Sequence, residues 1–298
     1  LLSEEKPFFN RALKGRYPPA SSIKPAIAMY GIEEGLIDWD FSIFDEGFFT
    51  LPEDGRIYRD WKEGGHGDTN LFKAITQSSN TYFFDLAYRS DINQLNKHLS
   101  SLGFGGKACI DCFEEDKVFV PEPSWKMNKH NFGWFKGDTV NMGVGQGYLV
   151  STPIQLAKYA YIMANKGKFS DLSLKKDLVK SEKSIEFNKF SNDDWFKLHE
   201  SMVNVIEGNT GTARRLRERK NYIVAAKTGT AELVSGDNRE QYSETRLDDS
   251  LRDHALIIAF GPMPNPRYAV SVVVENGESG GSVAGPVAIS VLNSLIQE

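Results

Sequence analysis

Three β-branched runs crowd the C-terminal third of the chain: 222–233, 254–261 (opening HALIIAF) and 267–275 (around YAVSVVV). Each is strand-length, and the turn-rich GPMPNP between the last two leaves room only for an antiparallel return. An amphipathic stretch over 283–297 closes the chain, and the residues ahead of 208 carry mainly helical periodicity. A helix-rich middle, late strands and a closing helix predict an α/β domain of the α+β kind with a mostly antiparallel sheet. None of the apolar runs approaches the roughly eighteen residues a membrane helix needs. At 298 residues, with 40% hydrophobic and 25% charged, the composition is that of a globular protein with a sizeable core. A net charge of -5 argues against general nucleic-acid binding, which requires a basic face. Two cysteines exclude a disulfide-built scaffold. No charged start followed by an apolar signal region is present, and the opening LLSEEKPFFN reads as a cut from something longer.

Residues 21–30 (SSIKPAIAMY) predict a helix with a serine at its N-cap, Pro25 in its first turn, and Gly31 and Gly35 at its exit. Residues 38–66 show no sustained period and read as an irregular excursion. Residues 71–88 and 92–102 read as helices. A T-x-x-Q capping box, Thr152 to Gln155 with Pro153 in the first turn, opens a helix over 151–167. A lysine-rich stretch over 166–190 reads as a solvated surface, and a helix over 193–207 ends at Gly208. There is no internal repeat.

Three short motifs stand in order: Ser21-x-x-Lys24, Ser78-x-Asn80 and Lys227-Thr228-Gly229, continued by Thr230. Singly they are weak. S-x-x-K arises about once by chance in a chain of this length, and Ser173 with Lys176 supplies such a match inside the lysine-rich stretch. Their chemistry is coherent together. Helix positions i and i+3 share a face, so Lys24 reaches back toward the Ser21 hydroxyl. A desolvated, neutral lysine can take the serine proton, and the helix N-terminus stabilises a developing oxyanion. Ser78 and Asn80, two apart in extended chain, project the same way, offering a hydroxyl to pass a proton and an amide to hold a peptide. Gly229 leaves a strand edge open for a peptide-like substrate, and Lys227, Thr228 and Thr230 suit a carboxylate. Strict alternation puts Lys227 and Thr228 on opposite faces, so local twist must bring both to the site.

The trio resembles that of the penicillin-recognising serine acyltransferases, the penicillin-binding proteins and serine β-lactamases. YPPASSIKP, GGHG, SSNTYF, GDTVNMGVGQGYLVSTPIQLA, GTA at 211–213, AAKTGTAEL, DHALIIAF and VENG...GGSVAGPVA extend it. They are similar to class B penicillin-binding proteins, in particular the elongation transpeptidases of Gram-negative rods. The resemblance is weakest over 168–192 and 234–252. It implies a penicillin-binding fold with a central five-stranded sheet flanked by helices. Residues 1–298 would be a single catalytic domain whose all-helical lobe covers roughly 26–165. It further implies Ser21 as acylated nucleophile, Lys24 as its base and Ser78 as proton shuttle, with Asn80 on the substrate amide. Lys227, Thr228 and Thr230 would hold the carboxylate beside Gly229, and the backbone N–H groups of Ser21 and Thr230 would form the oxyanion hole. The implied reaction is D,D-transpeptidation of peptidoglycan stem peptides, blocked by β-lactams. A membrane anchor and pedestal domain would lie outside this chain, with the enzyme on the periplasmic face of the inner membrane. Partners would be a SEDS-family glycan polymerase and elongation scaffold proteins. A D,D-carboxypeptidase, a serine β-lactamase and a β-lactam sensor domain are the alternatives.

Two departures stand out. Ala20 and Ala226 occupy positions that are usually glycine in the family. The resemblance also extends to Asp45, Asp60 and His66, which in some members bind zinc with a cysteine, but here Ser79 takes the cysteine's place. A neutral hydroxyl is a poor substitute for a thiolate, which puts zinc at Asp45, Asp60 and His66 in doubt but leaves it open; no cofactor is expected to be required. The single Cys109-x-x-Cys112 pair fits either a local disulfide or two buried thiols. Glu122, in FVPEPSW, is expected to shape a loop around Trp125 rather than serve as a base. His254 is expected to fix strand packing near the site. His98, His130 and His199 should be surface or satisfied core residues, and Phe48, Phe49, Trp61 and Trp134 core or cleft wall.

Overall fold

The computed structural model describes residues 6–176, 178, 181–233 and 251–296. A one-turn helix α1 (Arg11–Lys14) precedes a 3-10 turn over Ala20–Ile23, which runs directly into α2 (Lys24–Glu33). The excursion over 38–66 is more regular than expected. Strands β1 (Ser42–Asp45), β2 (Phe48–Thr50), β3 (Ile57–Arg59) and β4 (Gly67–Asn70) form two antiparallel ribbons, β1 with β4 and β2 with β3. They sit inside the segment expected to be all-helical. Its helices are α3 (Leu71–Gln77), α4 (Asn80–Arg89), α5 (Ile92–Ser101), α6 (Pro123–His130), α7 (Lys136–Gly143) and α8 (Pro153–Ala164). The Thr152–Gln155 capping box that opens α8 is formed as expected. A small ribbon, β5 (Lys168–Phe169) with β6 (Lys183–Ser184), marks the lysine-rich surface. Helix α9 (Asn192–Glu207) then leads to β7 (Ala225–Ala231), β8 (His254–Gly261), β9 (Tyr268–Val274) and the closing α10 (Gly285–Ile296). No helix among the described residues is long and apolar enough to cross a membrane.

The sheet is antiparallel, in the order β7-β8-β9. Among the described residues it has three strands rather than five. Among the described residues ahead of Ser21 there are only α1 and an isolated bridge, Tyr17 to Ser151, and no strand. Strand β8 is buried on both faces, as its apolar run requires. Leu256, Ile258 and Phe260 pack with Met29, Ile162 and Leu198 in the main core. Ala255, Ile257 and Ala259 face a second core with Val205, Leu216, Ala288, Ile289 and Leu292. The sheet is thus held between α8 and α9 on one hand and α10 on the other, with β7 left at its edge.

The stretch 71–88 breaks in two. Ser78 ends α3 at φ +61°, and Ser79 is extended and caps α4, its hydroxyl accepting from Tyr82 N–H at 3.1 Å. Short hydroxyl side chains can satisfy helix ends from such positions. The Cys109–Cys112 alternative resolves to a disulfide. Of the segment 234–252, where the resemblance is weakest, residues 234–250 lie outside the described residues.

Candidate active site

The first motif does not open as a simple helix cap. Ser21 lies within the 3-10 turn, and the α-helix begins at Lys24 with Pro25 in its first turn. Ala20, ahead of the serine, has φ +49° and donates its N–H to Gly145 O at 2.8 Å. That left-handed conformation explains why glycine suits the position.

Lys24 is fully buried, and its Nζ donates to Ser78 O at 2.7 Å, Asn80 Oδ1 at 2.7 Å and Ser78 Oγ at 3.3 Å. Lys227, equally buried, donates to the same Ser78 Oγ at 2.8 Å and to Thr228 O at 3.1 Å. One hydroxyl therefore sits between two ammonium-type nitrogens. Burial lowers Lys24 to about 7, opposed by the negative charges of Asp60 and Asp45. Burial and the Lys24 charge push Lys227 well below its ordinary value. With its two short bonds holding N–H groups, a neutral Lys24 keeps a lone pair for a proton, and Ser78 can relay it.

The convergence of Ser78 and Asn80 does not come from extended chain. The left-handed residue and the helix start turn both groups onto Lys24. Thr228 meets Thr212, hydroxyl to hydroxyl at 2.7 Å. Thr230 is exposed on β7, and its carbonyl accepts from Gln146 Nε2 at 3.1 Å. Strand β7 runs close against the Ser21 turn: a methyl group at Gly229 would lie 3.2 Å from Pro19 O and 3.3 Å from Ser22 N. Glycine there permits the close approach as much as it clears an edge.

Thr212 and Gln146, in the motifs GTA and GQG, have no role assigned from the sequence, and Trp61, expected in the core or the cleft wall, is not a core residue. Trp61 is 60% exposed, and its indole N–H donates to Ser78 O at 3.1 Å, the carbonyl that Lys24 also uses. Other candidates fall away from the chemistry. Ser173 bonds to Asp111, and Glu122 accepts from Ser124 at the surface. Trp125 packs against Phe119, His130 and Tyr148. His98 and His199 face the carbonyls of Ala26 and Met163, and burial lowers His98 to about 4. His254 accepts from Asn276 N–H and meets Tyr17 edge-on, holding β8 near the site.

Asp45, Asp60 and His66 do converge, with ligand-type atoms within 4.8 Å of one another and all three buried. A side chain at Gly65, which has φ +72°, would lie 2.1 Å from Asp45 O, so glycine lets the GGHG loop carry His66 in. Each donor atom nevertheless has a protein partner. Asp45 Oδ2 accepts from Ser79 Oγ at 2.7 Å, and Oδ1 from Gly47 N–H at 2.8 Å. Asp60 Oδ2 takes the N–H groups of Asn80 and Thr81 at 2.5 and 2.9 Å, and Oδ1 faces His66 Nε2 at 3.3 Å. His66 Nδ1 meets Gln77 Oε1 at 2.9 Å. Burial pushes the Asp60 carboxyl up, but His66, the Lys24 charge and the Thr81 and Lys62 N–H groups together hold it well below the usual range. None of these atoms is left orphaned. With a hydroxyl in place of a thiolate, this set does not fit a structural zinc ion.

The penicillin binding protein transpeptidase domain matches residues 3–293. The chain belongs to that family. Within it, the chain falls with the PBP2 transpeptidase domains. The peptidoglycan D,D-transpeptidase MrdA of Acinetobacter baumannii is 39% identical over 289 residues, 94% of this chain and 42% of that protein. Pseudomonas aeruginosa PBP2, in complex with WCK 5153, superposes with TM-score 0.89 at 36% identity, over 99% of this chain and 64% of that one. Helicobacter pylori PBP2, in its complex with MreC, gives TM-score 0.86 at 30% identity, over 97% of this chain and 52% of that one. The chain spans less than half the length of the curated relatives it matches.

Proposed function

We propose that residues 1–298 are the catalytic domain of a peptidoglycan D,D-transpeptidase serving cell-wall elongation. The observation that carries this reading is the Ser78 hydroxyl held between two desolvated lysines beside the Ser21 turn. Ser21 Oγ attacks the carbonyl carbon between the two terminal D-Ala residues of a stem peptide, and its proton passes to Lys24 Nζ. The backbone N–H groups of Ser21 and Thr230 hold the oxyanion. As the C–N bond breaks, the proton travels through Ser78 Oγ to the departing D-Ala amine. An amine on a neighbouring strand then attacks the ester, returns its proton along the same route and frees Ser21.

Lys227 with the Thr228 and Thr230 hydroxyls binds the terminal carboxylate, which restores the charge that burial disfavours on Lys227. Asn80, its Oδ1 committed to Lys24, offers its NH2 to the substrate carbonyl, and the β7 edge pairs with the substrate chain. β-Lactams acylate Ser21 as donor mimics, and no cofactor takes part. The helical lobe covers roughly 26–165, and the whole protein completes a five-stranded sheet. An anchor and pedestal outside this chain hold it on the periplasmic face of the inner membrane. There it works with a SEDS-family glycan polymerase and scaffold proteins, as the Helicobacter pylori relative's complex with MreC suggests by analogy.

Intact mass after exposure to a penicillin, on wild type and Ser21→Ala, tests the reading. One stable adduct in wild type and none in the variant is expected. Rapid loss of the adduct with consumption of the drug would favour a β-lactamase. No adduct in wild type would overturn the reading.

A further inference from the structure

The second motif is the part of the site that the chain holds least conventionally. Ser78, at φ +61°, and Asn80, at a helix start, carry the groups that meet Lys24, yet neither belongs to a strand or a helix interior. Behind them lies a cluster of buried side chains, Asp45, Asp60, His66 and Ser79. Asp60 Oδ2 receives the first two N–H groups of α4, from Asn80 and Thr81, together with the Thr81 hydroxyl at 3.3 Å. The Ser79 hydroxyl is used in both senses: its proton goes to Asp45 Oδ2 and its lone pair takes Tyr82 N–H. Asp45 comes from the end of the β1 ribbon strand, and Asp60 follows β3. The two ribbons are thereby pinned to the start of α4.

We infer that Ser79 makes this cluster a metal-free clamp, in which hydrogen bonds alone fix the α3–α4 junction and so set the position of Ser78 and Asn80. Three features support this. A hydroxyl whose proton is directed to a carboxylate and one of whose two lone pairs takes a backbone N–H has a single neutral lone pair left, a weak donor to zinc beside a thiolate. Both carboxylates spend their oxygens on short, well-defined donors. Finally, a buried cation site stripped of its ion would leave acceptors without donors, and every side-chain oxygen of Asp45, Asp60 and Ser79 meets a donor of the protein or donates itself. Asp45, Asp60 and Ser79 act here as positioning residues, through the backbone of the second motif rather than on the substrate.

The test has a metal arm that does not depend on the proposed function. Purified wild-type protein is dialysed against zinc, its metal content measured, and its melting curve recorded with zinc and with chelator. Little bound zinc and superimposable curves are expected. Ser79→Cys supplies a soft fourth donor to the same three residues and is expected to bind about one zinc per chain, with a melting transition that chelator lowers. Stoichiometric zinc in wild type with a chelator-sensitive transition would overturn the inference, and so would a Ser79→Cys protein that gains no zinc affinity.

The positioning arm uses penicillin acylation and rests on the proposed function. Ser79→Ala, assayed well below its melting temperature, should lower the first-order acylation rate by about tenfold, while the dissociation constant before acylation changes far less. Equal losses in both parameters, or none in the rate, would overturn the positioning role. Failure of wild type to acylate at all would count against the proposed function and leave the metal arm to decide the clamp.

Discussion

The two sides of the cleft hold their lysines by different means. On the sheet side, Lys227 projects from β7, against a β8 that is buried from Ala255 to Gly261, and no carboxylate is among the groups that set its charge. On the helix side, Lys24 is as deeply buried, but Asp60 and Asp45 behind the second motif partly offset its desolvation. The difference teaches how one buried site can hold two lysines for two tasks. The lysine with carboxylate support is poised near neutrality and can exchange a proton during turnover. On the proposed mechanism the unsupported lysine receives the substrate carboxylate, the charge it lacks.

The largest expected effect comes from removing the hydroxyl that joins the two sides. Ser78→Ala should slow acylation by penicillin by about 10²–10⁴ without unfolding the protein, followed by stopped-flow fluorescence. A loss below tenfold would show that the lysines do not communicate through Ser78. Ile258→Ala acts from the sheet side, through a side chain that takes no part in the hydrogen bonds of the site. It opens a cavity in the main core and should destabilise by about 2–5 kcal/mol in urea melts, while the surviving folded protein acylates at a near-normal rate.

Thr212→Val removes the hydroxyl partner of Thr228. It should weaken binding of a carboxylate-bearing substrate by about fivefold, roughly 1 kcal/mol, with little change in the first-order acylation step. On the helix side, Asp60→Asn removes a negative charge that raises Lys24. The acid limb of the acylation profile should therefore move to lower pH, by about one unit. Movement to higher pH would contradict the charge assignment. The smallest effect is expected at the turn between the two sides, where Ala20→Gly relieves a left-handed alanine and should raise stability by about 1 kcal/mol in thermal melts.

The sheet side was largely legible from sequence. Its strands carry the β-branched, apolar signature of a buried antiparallel sheet, and HALIIAF alternates between two cores as a period of two requires. The Thr152–Gln155 box marked α8 because capping is local chemistry. The helix side was legible only as a motif. Ser78 and Asn80 were read as extended chain, whereas the junction depends on a left-handed residue and on carboxylates about 20 and 34 residues upstream. The ribbons over 42–70 escaped because strands of three or four residues carry too little periodicity to register. The Thr212 contact with Thr228 and the Trp61 hydrogen bond to Ser78 O are made in the tertiary fold, and their residue types alone do not announce them. The pairing of Cys109 with Cys112 was open because spacing permits a bridge without requiring one.

On the proposed mechanism Lys24, lowered to about 7 by burial, is the base that activates Ser21. Its neutral form accumulates as pH rises, so the second-order rate of penicillin acylation measures it directly. The rate should climb tenfold per unit below the transition, turn over near pH 7 and stay level to about pH 9, with Lys24→Arg low and without that transition. A wild-type rate independent of pH across that range, or one that rises only near the ordinary lysine value, would contradict it.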